Sequence, residues 1–486
     1  MVSVIEQEFQ HGLCESGLAP PKQVEDGKLL DDDGRPSRTG TVWTACAHII
    51  TACVGAGVLS LAWAISQLGW IAGIVILLIF SSVSLYTSCL LADCYRSPHP
   101  VTGKRNYSYI EAVKTILGGT KYYFCGWIQY GSLASGAVGY TITTAKSLVA
   151  IQKSNCHRKN GLQDKCKFPI YPHMIGFGIL EIFLSQIPNF SKLTGLSIVA
   201  AIMSFGYTFI GIGLSIFKIV KEHRRGRNSI MGVEIGAEFS ASDKIWRMFA
   251  ATGDIAFACT YAQILIDIQD TLKSSLEPET NVMKKASVLS ASTMTTIVMM
   301  CGCLGYVAFG DNAPENLLTG FGDQDAMWVV DLANVFIVVH LVGAYQIFAQ
   351  PVFRVVETWA NKRWPKSGFI NTDREISIGK IKMNMNLFKM SWRIGFVAVA
   401  SVIAMALPFF SDMLALLGAL EYWPLVVYFP VEMHIAQNKI AKGTKRWMAL
   451  QLLSMTCLLI SIACAAGALQ GLNKGLHSFQ PFKTKD

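Results

Sequence analysis

Between Trp70 and Ala92 the chain runs for 23 residues without one charged side chain. At about 1.5 Å per residue, a helix of that length covers a hydrocarbon core of about 30 Å. Similar apolar stretches recur, giving eleven in all: 41–67, 70–92, 124–151, 171–189, 196–217, 246–270, 286–309, 327–357, 390–409, 412–434 and 446–470. Only 15% of the 486 residues are charged, where a soluble domain carries about a quarter. Buried helices of a soluble protein cannot account for eleven such stretches. The expected class is an all-α membrane protein with about eleven transmembrane helices.

Residues 1–40 are not a signal peptide, because no basic segment precedes a short apolar core. Eight acidic residues against four basic ones, punctuated by glycine and proline, read as a disordered acidic cytosolic tail. With the N-terminus inside, an odd number of spans puts the C-terminus outside. Segments then inside hold 25 lysines and arginines, against 15 outside. That bias agrees with the positive-inside rule, although the basic run "KIVKEHRRGRNS" falls outside. Two sequons, Asn106-Tyr107-Ser108 and Asn189-Phe190-Ser191, fall inside; glycosylation of either would reverse the orientation. The net charge of +9 needs no nucleic-acid partner, since basic loops beside anionic lipid explain it.

Most of the thirteen cysteines sit in apolar spans, where cysteine behaves as a small hydrophobe. Cys301 and Cys303 lack two further ligands nearby, so no metal site is expected. Cys156 and Cys166 share the external loop 152–170, and are either a disulfide or two free thiols.

The first span carries Val54-Gly55-Ala56-Gly57 at its centre, where glycine is a poor helix former. Close packing of helices would explain small residues there. The sixth span, "TGDIAFACTYAQILIDIQD", is a second poor continuous helix, five spans later. Paired interrupted segments at corresponding positions of two halves point to a transporter's binding site. The expected organisation is a 5+5 inverted repeat with spans 1 and 6 broken: residues 41–217, an extracellular loop 218–245, and residues 246–434. Residues 435–486 add an eleventh span and an extracellular C-terminus. A broken helix frees backbone N–H groups on one half and carbonyls on the other, which together suit a zwitterion. The expected substrate contacts are Val54, Gly55, Ala56 and Gly57, with Ala256, Phe257, Ala258 and Cys259 around a break at 256–259, joined by Gln129 of the third span.

At this point the chain resembles the plant amino acid permeases. The carrying motifs are "AHIITACVGAGVLSLAWAISQLGW", "LADCYRSPHPVTGKRNYSY", "LSQIPNF", "GDIAF", "IDIQDTLKSS", "HLVGAYQ" and "WPLVVYFPVEMHIAQ". These proteins belong to the amino acid/auxin permease family, within the amino acid–polyamine–organocation transporters. The resemblance runs from Arg38 to about Gly471. It implies a LeuT-type fold, a cytosolic N-terminus, a plasma-membrane location, and symport of neutral and acidic amino acids with protons. No cofactor and no nucleotide are expected; the proton gradient supplies the driving force.

Proton coupling needs a titrating group inside the membrane, where ionisable side chains are expensive. The candidates are His48, Asp254 and His340, with Glu181, Asp331 and Glu421 as further carboxylates and Lys146 and Arg393 as partners. His48 and His340 match histidines of the family motifs, and histidine titrates near physiological pH. Asp254 either carries a proton or caps exposed backbone. Asp267 and Asp270, paired with loop lysines, read as a gate or a solvated helix end.

Five positions depart from the family pattern. Ala56 stands where serine is usual, Cys259 where an aromatic is, Glu181 where glutamine is, Glu421 where a small residue is, and Ser132 where asparagine is. An auxin or other small-carboxylate carrier of the same fold, or an amino acid sensor that no longer transports, are the competing functions. No Ser/His/Asp arrangement, HExxH or phosphate-binding loop is found, so an enzyme is not expected.

Overall fold

The computed structural model describes residues 24–25, 28–29, 31, 38–55, 57–161, 166–187, 194–222, 228–236, 240–273, 277–321, 327–378, 381–407 and 409–478. Ala56, the sequon at Asn189 and most of the acidic tail lie outside them. Among the described residues the fold is all-helical apart from three small antiparallel hairpins. The helices are α1 (Val42–Cys53), α2 (Gly57–Asp93), α3 (Tyr109–Ile116), α4 (Gly119–Asn160), α5 (Tyr171–Ser185), α6 (Thr194–Glu222) and α7 (Ala241–Ala258). They continue with α8 (Ala262–Gln269), α9 (Glu279–Phe309), α10 (Met327–Arg363), α11 (Gly368–Asn371), α12 (Leu387–Ala406), α13 (Phe410–Glu421), α14 (Phe429–Gln437) and α15 (Lys445–Ser478).

Eight stretches are long and apolar enough to cross a bilayer: Gly57–Asp93, Ile198–Lys221, Ala241–Gln269, Glu279–Asn312, Met327–Arg363, Leu387–Ala406, Phe410–Gln437 and Lys445–His477. Large apolar side chains such as Ile71, Val75, Leu78 and Ile79 of α2 point outward, as lipid-facing residues do. The other three expected spans differ for physical reasons. The first is split between α1 and the start of α2. The fourth is α5, only 15 residues long. The third, α4, is long but polar: Ser132, Thr141, Thr143, Thr144 and Ser147 are all buried along it. Packing of these polar residues inside the bundle removes the need for a continuous apolar run, while Tyr123, Phe124 and Trp127 of the same helix face outward.

Two close approaches shape the bundle. At Gly69 the chain turns with φ +80°, dividing residues 57–68 from the rest of α2. A Cβ there would stand 2.3 Å from the Ile230 carbonyl oxygen, because the loop after α6 packs onto this corner. Where α7 crosses α13, a Cβ on Gly418 would lie 2.1 Å from the Gly253 carbonyl oxygen. Around these points α9 packs on α2, α10 on α4 and α6, and α7 on α2, α13 and α15.

The segment before α1 is tied to the body. Gly40 pairs with the chain just past α8, its N–H donating to the Thr271 carbonyl at 2.9 Å and its carbonyl accepting from Lys273 at 2.9 Å. The sequon at Asn106 is shut away, with Asn106 2% exposed and its side chain donating to the Cys94 carbonyl.

Candidate functional site

The first break follows α1 directly. Val54 leaves helical geometry at φ −75°, ψ 76°, while its N–H still bonds to Ile50 at 2.8 Å. The Gly55 N–H turns back to the Cys53 carbonyl at 2.8 Å, and helix resumes at Gly57. The second break falls later than the sequence indicates. Ala256, Phe257 and Ala258 remain helical in α7, and the interruption covers Cys259 to Tyr261. Alanine is the best helix former, so the small-residue run holds its turn. The helix ends at Ala258, and two residues on the Thr260 hydroxyl donates to the Ala256 carbonyl at 2.8 Å and so takes one of the helix-end acceptors.

Tertiary packing brings the two breaks together. A Cβ on Gly57 would stand 2.8 Å from the Phe257 ring, so glycine is needed there for contact between the half-helices. Cys53, from the first break, and Cys259 and Tyr261, from the second, line one small cavity with Ser81 and Ser84 of α2. The Ser81 hydroxyl lies 3.5 Å from the Cys259 sulfur. Each break contributes one helix end rich in carbonyls and one helix start rich in N–H groups. That combination offers both poles a zwitterion needs.

The three proton-coupling candidates fall in different surroundings. His340 of α10 is 4% exposed; its Nδ1 lies 2.8 Å from the Ala200 carbonyl oxygen. Its ring stands edge-on to Tyr207 of α6 at 5.8 Å, and the Tyr207 hydroxyl donates to the Val54 carbonyl at 3.3 Å. His340 is thus two contacts from the first break. Tyr207 has no sequence signal; only the fold places it there. Asp254 is fully buried and accepts from the Ser411 hydroxyl at 3.0 Å, so its polar partner is a side chain of α13 rather than exposed helix-end backbone. His48 lies on an exposed face of α1, away from this set. Gln129 is buried beside the second break, its side-chain N–H donating to the Gln263 carbonyl at 3.4 Å.

The remaining intramembrane charges pair differently from expectation. Asp331 meets Arg158 at 2.6 Å, Lys146 meets Glu315 at 3.9 Å, and Arg393 meets Glu357 at 2.8 Å. Glu181 is bonded by the Gln346 side chain at 2.6 Å instead of by either cation. These partners sit on other helices or loops, which sequence order does not reveal. Cys156 and Cys166 are bonded to each other, with Cα atoms 6.0 Å apart.

A second cluster closes the end of the bundle where the N-terminal segment docks. Arg38 bonds Asp31 and, at 2.8 Å, Glu279; Arg96 meets the same Glu279 oxygen at 2.8 Å. Tyr95 donates to Asp270 at 2.7 Å. Burial, reinforced by that bond, pushes the Tyr95 phenol above its ordinary range, so it stays a donor. Asp270 also lies 3.9 Å from Arg105.

Comparison with known proteins agrees with this architecture. Residues 38–473 match the family described as transmembrane amino acid transporter protein. Amino acid permease 8 of Arabidopsis thaliana is 51% identical over 471 residues, covering 96% of this chain and 99% of that protein. Amino acid permease 6 of the same plant is 52% identical over 466 residues, covering 96% of this chain and 97% of that protein. The crystal structure of MhsT in complex with L-phenylalanine superposes with a TM-score of 0.51 at 11% identity, covering 89% of this chain and all of that one. That likeness shows a LeuT-like fold. The resemblance to plant amino acid permeases read from the motifs holds over nearly the whole chain. The chain belongs to the transmembrane amino acid transporter family, a family of carriers rather than enzymes.

Proposed function

We propose that this protein is a proton-coupled symporter importing neutral and acidic amino acids across the plasma membrane by alternating access. The observation carrying the reading is the packing of the two broken helices where Gly57, just after the first break, meets Phe257, just before the second, with buried His340 reaching Val54 through Tyr207. The substrate's α-carboxylate sits at the N–H groups opening α2, and its ammonium group at carbonyls ending α1 and α7. A proton on His340 changes the charge beside Tyr207, and through it the hold on the Val54 carbonyl. Loading of proton and substrate is thereby linked. Eleven spans in a 5+5 inverted repeat, with the N-terminus cytosolic and the C-terminus extracellular, complete the reading.

Current in oocytes expressing the protein tests it, at about pH 5.5 and 7.5 with and without sodium. Inward current that needs an amino acid, grows at the lower pH and ignores sodium is expected. Binding of amino acids without flux would identify a sensor, and current with auxin alone a small-carboxylate carrier.

A further inference from the structure

Glu421 closes α13 where the chain widens into a π-helix over Tyr422–Tyr428, a backbone feature common at functional sites. It is 2% exposed. One carboxylate oxygen accepts from the Ser132 hydroxyl, and the other from the Gln263 side-chain amide at 3.3 Å. Gln129 joins the group through its bond to the Gln263 backbone. Four side chains from α4, α8 and α13 thus form one polar island, all at least nine-tenths buried. No ion pair involves Glu421 among the described residues.

The island is unbalanced in one direction. The side-chain oxygens of Gln129 and Gln263 are buried without any hydrogen-bond partner. Buried acceptors of this kind are costly, and an ionised carboxylate without a cation more so. A group carrying several N–H donors and a positive charge would complement these acceptors. A proton on Glu421 would neutralise the carboxylate and reach at most the Gln263 oxygen, after that amide turns over, leaving the Gln129 oxygen unmet; a neutral hydroxyl would supply a donor but no charge. Gln263 is two residues past Tyr261, so the island adjoins the second break, where a substrate side chain would extend.

We propose that Glu421, Gln129 and Gln263 form a subsite for the cationic side chain of a basic amino acid. Its ammonium or guanidinium pairs with the Glu421 carboxylate and donates to the two amide oxygens. The proposal rests on the transport reading above and extends it to basic substrates.

The test uses arginine against citrulline, which has nearly the same shape without the charge. In cells expressing the unmodified carrier, each competes with labelled alanine. Arginine is expected to compete at least about tenfold better, as a charged hydrogen-bonded pair allows. In Glu421→Gln that preference falls to about parity, and in Glu421→Asp it survives. Equal competition by arginine and citrulline in the unmodified carrier overturns the proposal, even if no variant reaches the surface. So does an unchanged preference in Glu421→Gln, or loss of pH-driven alanine accumulation there, which would make Glu421 a proton carrier. Alanine uptake in the unmodified carrier checks the transport reading separately; its absence would remove both.

Discussion

A methyl group separates two glycines that look alike in sequence. On Gly57 a Cβ meets the Phe257 ring at 2.8 Å, whereas on Gly55 nothing lies within 4 Å. Gly57→Ala should therefore destabilise by about 1–3 kcal/mol through overpacking. Gly55→Ala should leave the melting temperature nearly unchanged and lower uptake, if a ligand occupies the open space beside it. Thermal unfolding of both variants, read against alanine uptake, checks the pair. Beside them, Tyr207→Phe removes the bond to the Val54 carbonyl, worth about 1 kcal/mol. Its uptake should drop about fivefold while His340 keeps its bond to Ala200. His340→Ala should abolish proton-driven accumulation; equal uptake at low and neutral pH in variant and parent would remove His340 from the coupling role.

At the scale of elements, the ions around Arg38 join pieces that must separate if the bundle opens at that end. Arg38 and Arg96 share Glu279 at the start of α9, and the Gly40 pairing holds α1 beside the end of α8. Removing one member of a buried ion network costs about 3–5 kcal/mol, because its partners are left uncompensated. Glu279→Gln should loosen α1 and expose Cys46, which is 4% exposed and faces α9. Faster alkylation of Cys46, followed by mass spectrometry, is the expected signature; an unchanged rate would show that the cluster does not hold α1.

For the whole molecule, the proposed eleven spans put the two termini on opposite faces of the membrane, and the proposed cytosolic N-terminus sets which face is which. With eleven spans, a tag after Ser478 should be reached by antibody on intact cells, and one before Arg38 only after permeabilisation. Labelling of both tags on the same side would require an even number of spans. The bond between Cys156 and Cys166 adds a compartment test, because disulfides persist on the oxidising side. A reductant that does not cross the membrane should release these two thiols from protein on intact cells, and labelling of Cys156 and Cys166 checks it.

The membrane class, eight of the apolar spans and the presence of two interruptions were legible because each is a local property. Hydropathy and length decide whether a segment enters lipid, and small residues decide where a helix can yield. Three things were not local. Which residue ends α7 depended on how Thr260 satisfies a backbone carbonyl, so the second break moved to Cys259–Tyr261. The partners of Asp331, Lys146, Arg393 and Glu181 lay on other helices or loops, and charge pairing is set by distance in space. Of two histidines that seemed equivalent along the chain, His340 is buried against Tyr207 and His48 faces outward, because the neighbours around a helix decide what each face meets. The sequence by itself determined that this is a membrane carrier with paired helix breaks. Only the tertiary structure decided which side chains surround those breaks, since no spacing along one helix reports what another helix brings to it.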